Sequence, residues 1–303
     1  MYTFTNKLDF YITNVCNLTC DHCNRFNNHD FRGWQKWDDY ADTYKAWGKL
    51  ISIESATIMG GEPFLNNTLT DWINGINQIF DIEVQVLTNG TRFRNAPPGL
   101  YDALSGYISP TAQAKNHIGV SLHRLDDEDE ILENIKSFLG PGVKIAPKGQ
   151  NPWNSDWYLV DDNDVKVNVY KSTEFNKSAI IPLVPDSSGK KRFTLHNSDP
   201  ELAHDICSFA NFKSYHFIKG ALYKCAPAHL FKEFDEQYQF EITEQQRYNI
   251  HNGYTPLTVD NFHTHLPEWI EMTKSPIPQC ELCPSNYETH SIFPIRKNAK
   301  KSL

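Results

Sequence analysis

Residues 16–23 read CNLTCDHC, and the reading of these eight residues decides the fold. Cys16, Cys20 and Cys23 fall at the spacing C-x3-C-x2-C. A closed structural zinc site takes four ligands, and so does a fully saturated iron–sulfur cluster. Three neighbouring thiols point instead to a metal centre with one position open, which is what a catalytic centre needs. By spacing alone, a zinc knuckle satisfies the pattern as well. The residues just before, LDFYIT (8–13), read as a strand that runs straight into the cysteine loop.

Outward from this loop, strand and helix patterns alternate. Trp37, Tyr40, Tyr44, Trp47 and Ile51 form a helical stripe, with Asp38 or Asp39 placed to cap its start. Ala56 to Met59 is a short buried strand ending in GGEP (60–63), where the two glycines let a ligand approach the backbone. Leu69, Trp72, Ile73, Ile76 and Phe80 mark a second helix. Ile82 to Thr88 is a third strand closing on Asn89-Gly90. A short helix near Leu100 to Leu104 and a strand from His117 to Leu122 follow. The stretch DDEDEILENIKSFLG (126–140) is a helix with acids in its first turn and Gly140 as its cap.

Val143 to Ala146 and Val165 to Tyr170 are two further strand candidates, with no clear helix in the intervening NPWNSDWYLVDDND. Repeated strand–helix units imply a parallel sheet with right-handed crossovers. The expected class is therefore α/β: a partial (β/α)6, TIM-like barrel with chemistry at the C-terminal strand ends. Around Pro182 to Lys191 the pattern dissolves into Pro, Ser, Gly and Lys. A boundary is expected there, between residues 1–185 and a small α+β domain over 186–303. In that second part, SYHFIKGALYKCAPA (214–228) reads as a hairpin turning at Lys219-Gly220.

The 303 residues carry a formal net charge of −8, and the basic residues cluster only in the tail from Lys297 to Lys301. A broad nucleic-acid footprint is disfavoured. Neither a signal pattern nor an apolar run long enough for a bilayer is present, so a cytoplasmic location is expected. In a reducing compartment, the seven cysteines read as metal ligands rather than disulfides.

The order C-x3-C-x2-C after the first strand, GGEP after the second, LTNG after the third and SLH after the fourth resembles the radical S-adenosylmethionine superfamily. The resemblance spans residues 8–170 and is carried mainly by the first two motifs. It implies that Cys16, Cys20 and Cys23 ligate a [4Fe–4S] cluster whose open iron binds S-adenosylmethionine. It further implies that Gly60, Gly61 and Glu62 line the pocket for the methionyl amino group. Thr88, Asn89, Gly90 and Ser121 stand where the family contacts the cofactor's ribose and carboxylate. His22 takes the place of an aromatic residue near the adenine, a departure from the family pattern. The implied chemistry is reductive cleavage of the sulfonium to a 5′-deoxyadenosyl radical that abstracts a substrate hydrogen atom.

Cys207, Cys225, Cys280 and Cys283 remain, all in the second part. Cys280 and Cys283 form a CxxC between Pro278 and Pro284, and Cys225 ends the hairpin. Four thiols from three separated places suit a tetrahedral zinc site or a cubane. The arrangement C-x12-G-x4-C, a long gap, then C-x2-C resembles the twitch auxiliary domain, a shortened relative of the SPASM domain, over residues 200–290. That resemblance implies a second [4Fe–4S] cluster with no free iron, structural zinc being the alternative. Other polar residues carry less. His263 and His265 are ordinary surface or core histidines unless they ligate a metal. Asp126 to Glu130 start a helix, and Asp161, Asp162 and Asp164 form a turn or a cation site. Trp153 and Trp157 line the barrel mouth or pack in the core.

The expected function is oxidation or modification of a peptide or small polar metabolite after hydrogen abstraction, with flavodoxin or ferredoxin as electron donor. The absence of a domain before the first strand favours a small substrate or a separately recruited peptide. Two rivals are a radical enzyme acting on a nucleoside or RNA and a non-catalytic metal-binding interaction protein. The sequence names no catalytic acid or base.

Overall fold

The computed structural model describes residues 1–4, 7–110 and 114–296, and the lysine-bearing tail from 297 lies outside them. Nine strands join in one sheet: β1 (Leu8–Tyr11), β2 (Ala56–Met59), β3 (Val84–Thr88), β4 (His117–Leu122), β5 (Lys144–Pro147), β6 (Trp157–Val160), β7 (Lys166–Lys171), β8 (Tyr215–Ile218) and β9 (Ala221–Tyr223). Their spatial order is β9-β8-β1-β2-β3-β4-β7-β6-β5. The six strands from β8 to β7 run parallel, and β9, β6 and β5 are antiparallel edges.

Crossovers between the parallel strands run through α1 (Ala41–Leu50), α2 (Leu69–Phe80), α3 (Leu100–Ser105) and α4 (Glu128–Leu139). Side chains alternate along each strand, so one face of the sheet is apolar. Leu8, Phe10, Ile58, Val84, Val86, Ile118, Val120, Val167 and Val169 form that face and share one core with Tyr44, Trp47, Trp72, Ile76, Ile131 and Ile135 of the helices. The other face is polar. His216, Asp9, Thr57, Gln85, His117 and Lys166 stand side by side in register across the six parallel strands.

The parallel α/β expectation is met in β1–β4, and the differences have physical causes. Six parallel strands are present, but the sixth is β8, drawn from the second half of the chain to pair with β1. The strand expected at 143–146 is instead the outermost antiparallel edge, joined through β6, which the sequence reading missed. A parallel neighbour needs a crossover of a dozen residues or so, usually helical; without a helix between 147 and 157 the chain can only fold back. Residues 182–191 run from the end of one strand through the loop of a hairpin, Ile180–Leu183 against Arg192–Leu195. Asp38 and Asp39 do not cap α1. They lie in a 3-10 turn over Trp37–Asp39, and the capping position is Tyr40. Trp37 fixes this turn by filling the space over Gly75, where a Cβ would meet its ring at 2.0 Å.

The second half of the chain is tied to the first by more than β8. The turn at Lys219 and Gly220 has φ of 52° and 76°, as a two-residue hairpin loop requires, and Trp47 Nε1 donates to the Gly220 carbonyl at 2.8 Å. Two longer helices, α5 (Pro227–Tyr238) and α6 (Phe262–Lys274), complete the packing: Phe231 and Phe234 of α5 bury against Phe26 and Phe193, and Trp269 of α6 joins the main core. Among the described residues no helix is long and apolar enough to cross a membrane.

Candidate metal and cofactor site

The cysteine loop leaves the C-terminal end of β1, where it was expected. Cys16, Cys20 and Cys23 pack on one small apolar cluster with Leu18, Phe175 and Ile292. Cys20 is buried there, and the other two thiols are half-buried. Burial first, then the neighbouring thiols Cys23 and Cys16, push the Cys20 thiol well above its ordinary range. Only an electrophilic partner such as a metal would draw its proton off at neutral pH. Asn27 holds the loop from below, donating to the Asn14 carbonyl at 2.7 Å and to the Tyr11 hydroxyl at 3.2 Å.

Asn14 also donates to Glu233 Oε2 at 2.9 Å, and Glu233 pairs with His229 at 2.9 Å and with Lys219. Burial opposes the Glu233 charge, but the His229, Lys219 and Asn14 partners outweigh it and hold its pKa at about 2. An unfolded glutamate titrates near about 4.3, so the charged form stabilises the fold above that pH, and the contribution is lost as pH falls toward about 2. The gap in urea midpoint between wild type and Glu233→Gln is therefore expected to be wide at about pH 6 and to close by about pH 2–3. A gap independent of pH would show that the carboxylate charge is not what anchors the loop.

The glycines of GGEP serve the protein's own backbone. Gly61 N donates to Thr13 O at 2.7 Å and Glu62 N to Val15 O at 2.8 Å, stitching this turn to the chain just before Cys16. A Cβ at Gly60 would meet Thr13 O at 2.5 Å, and one at Gly61 would meet Val15 O at 2.2 Å. The pair thus permits one loop to lie against another. Glu62 is fully buried, and its carboxylate accepts from Phe64 N at 3.0 Å, Thr88 Oγ1 at 2.6 Å and Asn89 N at 2.8 Å. Burial raises its pKa against the pull of those donors. Glu62 therefore locks the turns after β2 and β3 together.

Asn89 continues the chain of contacts. Its amide donates to Asn17 Oδ1 at 3.0 Å and lies 3.9 Å from Cys16 Sγ, while Asn17 donates to Thr91 at 2.7 Å. Thr88, Asn89 and Gly90 thereby sit beside the cysteine loop, and Gly90 has φ of 77°. Ser121, on β4, is half-buried two strands from β2. So the structure brings together the three thiols, Gly60 to Glu62 and Thr88 to Gly90. His22 has partners from the second half of the chain. Its ring stacks on His290 at 4.0 Å, and its Nδ1 faces Ser178 N at 3.3 Å.

A cavity of about 460 Å³ is lined by Cys207, Cys225, Cys280 and Cys283, and also by His22 and Asn24 from the cysteine loop. Cys207 opens the short helix Ser208–Asn211, Cys225 follows β9, and Cys280 and Cys283 close the 3-10 turn Pro278–Leu282. Each of the four thiols bears electrostatically on the others. Burial raises the Cys225, Cys280 and Cys283 thiols above their ordinary range, while Lys224 pulls Cys225 and Cys280 down. Lys224 itself is buried, its ammonium donating to the Met272 carbonyl at 3.0 Å and to that of Ser275. Among the described residues no three His, Cys, Asp or Glu side chains converge as a site for one metal ion.

The polar residues given less weight fall into structural roles. Asp161 accepts from Asn163 N and Val165 N in a turn, at 2.9 and 2.8 Å. His265 faces Glu268 at 3.2 Å on α6, and Asp127 pairs with Arg124 and Arg296 at the start of α4. Trp157 lies on β6, between β5 and β7, and its Nε1 donates to Glu128 at 2.6 Å, while Trp153 lies on the surface beside His117. Sequence reasoning missed Arg25, His216 and Asp9, a buried polar group between the two thiol sets. The only signal was an arginine two positions after Cys23.

Three thiols at the end of the first strand, stitched to a Gly-Gly-Glu turn and a Thr-Asn-Gly turn on the next two, match a known family. The Radical SAM superfamily matches residues 10–142. This segment is a Radical SAM domain. A [4Fe–4S] cluster and S-adenosylmethionine are what that family implies for residues 10–142. The chain is 26% identical over 212 residues to a probable GTP 3′,8-cyclase of Saccharolobus islandicus (strain Y.N.15.51 / Yellowstone #2), covering 64% of this chain and 62% of that protein. It is 24% identical over 208 residues to a GTP 3′,8-cyclase of Alkaliphilus oremlandii (strain OhILAs), covering 66% and 63%. The chain thus spans less than two thirds of these relatives. Among solved structures, Streptococcus suis SuiB bound to S-adenosylmethionine aligns over 45% of this chain and 32% of that one, at 19% identity and a TM-score of 0.35.

Proposed function

We propose that this radical SAM enzyme works with two metal centres and modifies a peptide or small polar metabolite held between them. Cys16, Cys20 and Cys23 hold a [4Fe–4S] cluster with S-adenosylmethionine, near Gly60, Gly61, Thr88, Asn89, Gly90 and Ser121. Cys207, Cys225, Cys280 and Cys283 hold a second [4Fe–4S] cluster in the segment 186–303, as in a twitch-type domain. When bound, the first cluster and cofactor supply one-electron cleavage of a sulfonium and abstraction of a substrate hydrogen atom. A small electron carrier such as flavodoxin or ferredoxin reduces it. One observation carries this reading: His22 and Asn24, which flank Cys23, line the same cavity as all four thiols of the second set.

The size of that cavity favours a cluster over zinc for the second set. Tetrahedral zinc with about 2.3 Å bonds draws its sulfurs to within about 3.8 Å of one another. The four thiols instead line a cavity of about 460 Å³, more than a single ion fills. Its other walls are aromatic and amide side chains, among them Phe175, Phe209, Tyr287, Asn176 and Asn286.

The relatives named GTP 3′,8-cyclase raise a nucleotide as the second reading. Among the cavity's lining residues the lysines are Lys177, paired with Glu288 at 3.2 Å, and Lys224, bound to carbonyls. A triphosphate would need several uncommitted cations, so the lining favours an uncharged or zwitterionic substrate.

Anaerobic reconstitution tests the reading. About eight irons per chain and formation of 5′-deoxyadenosine after reduction with S-adenosylmethionine present are expected. About four irons with one zinc would refute the second cluster, and turnover of GTP to a cyclised product would replace the substrate class.

A further inference from the structure

Arg25 is 7% exposed and lies between the two sets of thiols. Its Nη2 is 2.8 Å from His216 Nε2 and 3.1 Å from Met59 Sδ, and its Nη1 donates to Asn24 Oδ1 at 3.0 Å. The Phe209 ring, in the turn that follows Cys207, covers the guanidinium at 4.8 Å. Among the described residues its Nε is buried without a hydrogen-bond partner. Asp9 bears on it, held 3.3 Å from His216 and accepting from Ser214 at 2.6 Å. Cys23 on one side and Cys225 on the other are also within its electrostatic reach.

A guanidinium withdrawn from water is costly unless negative charge accompanies it. Its direct hydrogen-bond partners are neutral, and Asp9 stands behind a histidine. The remaining countercharge is at the cysteines, which become negative once they bind metal. Lys224, a second buried cation, also bears on Cys280, Cys225 and Cys207.

We propose that Arg25 is a positioning residue for charge: it favours the reduced, more negative state of the centre held by Cys207, Cys225, Cys280 and Cys283. The proposal rests on that set binding an iron–sulfur cluster. One electron from an external reductant adds one negative charge to that cluster, and a fixed neighbouring cation stabilises the product more than the reactant.

The test uses the full chain with Cys16, Cys20 and Cys23 all changed to alanine, so that only the second centre titrates. Iron content comes first. About four irons per chain are expected, and none, with zinc in its place, would end the cluster reading before Arg25 is tested. Dithionite titration followed by electron paramagnetic resonance then compares Arg25→Gln and Arg25→Lys with this background. Arg25→Gln is expected to lower the reduction equilibrium constant at least tenfold, a shift of about 59 mV to more negative potential for a one-electron couple. Arg25→Lys, which keeps the charge, is expected to stay within about threefold. A Gln variant within threefold of the background, or a Lys variant that falls as far as Gln, overturns the proposal. If the Gln variant does not load iron, the Lys variant decides alone: within threefold sustains the role of charge, and a tenfold drop refutes it.

Discussion

Alanine in place of Cys16, Cys20 or Cys23 is expected to remove about four of about eight irons per chain. It should lower 5′-deoxyadenosine formation at least about a thousandfold, the scale seen when an essential catalytic group is lost. The loss should be almost complete for each position, because three ligands to one cluster are not redundant. Stability should change little. The loop backbone is fixed by bonds that involve no sulfur: Gly61 N to Thr13 O, Glu62 N to Val15 O, and Asn27 to the Asn14 carbonyl. Iron analysis, product assay and a urea melt together separate the two effects. Full iron content in any of the three variants would refute the assignment of that thiol.

Gly61→Ala is the second large effect. The new methyl would lie 2.2 Å from the Val15 carbonyl oxygen, 2.6 Å from its carbon and 3.1 Å from Cys16 Cβ. The first two atoms are backbone and cannot turn aside, so the turn after β2 and the cysteine loop must separate. A cost of about 3 kcal/mol is expected, at the upper end of overpacking. Iron loading should fall with it, because Cys16 is the next residue to move. Gly60→Ala should act in the same direction through Thr13 O at 2.5 Å. Urea midpoints and iron content check both. A Gly61→Ala protein that keeps wild-type stability and full iron would show that the two loops are not tightly joined.

The first four parallel strands were legible because each strand pattern was followed by a helix pattern and a turn motif. The cysteine loop could be placed for the same reason. Beyond residue 140 the local pattern weakens. β6 was missed because WYLV sits among Asn, Asp and Pro in a stretch with no clear period. The pairing of β8 with β1 was not legible at all, since no periodicity records which strand a distant hairpin will join. In the site, residue types are visible in the sequence but their partners are not. Nothing along the chain shows that Glu62 accepts from Thr88, Asn89 and Phe64. Nor does it show that His22 stacks on His290. Asp9 and His216 are brought together by register between strands some 200 residues apart, and Arg25 reaches His216 from the cysteine loop, neither of which spacing along the chain shows.

The seating of β8 beside β1 bears on how the molecule is made. Residues 8–11 emerge early in synthesis, but their partner at 215–218 comes late. Until then the strand that carries the cysteine loop offers a bare edge, prone to pairing with other chains. Metal delivered before the hairpin docks would meet a cysteine loop whose strand still lacks one neighbour.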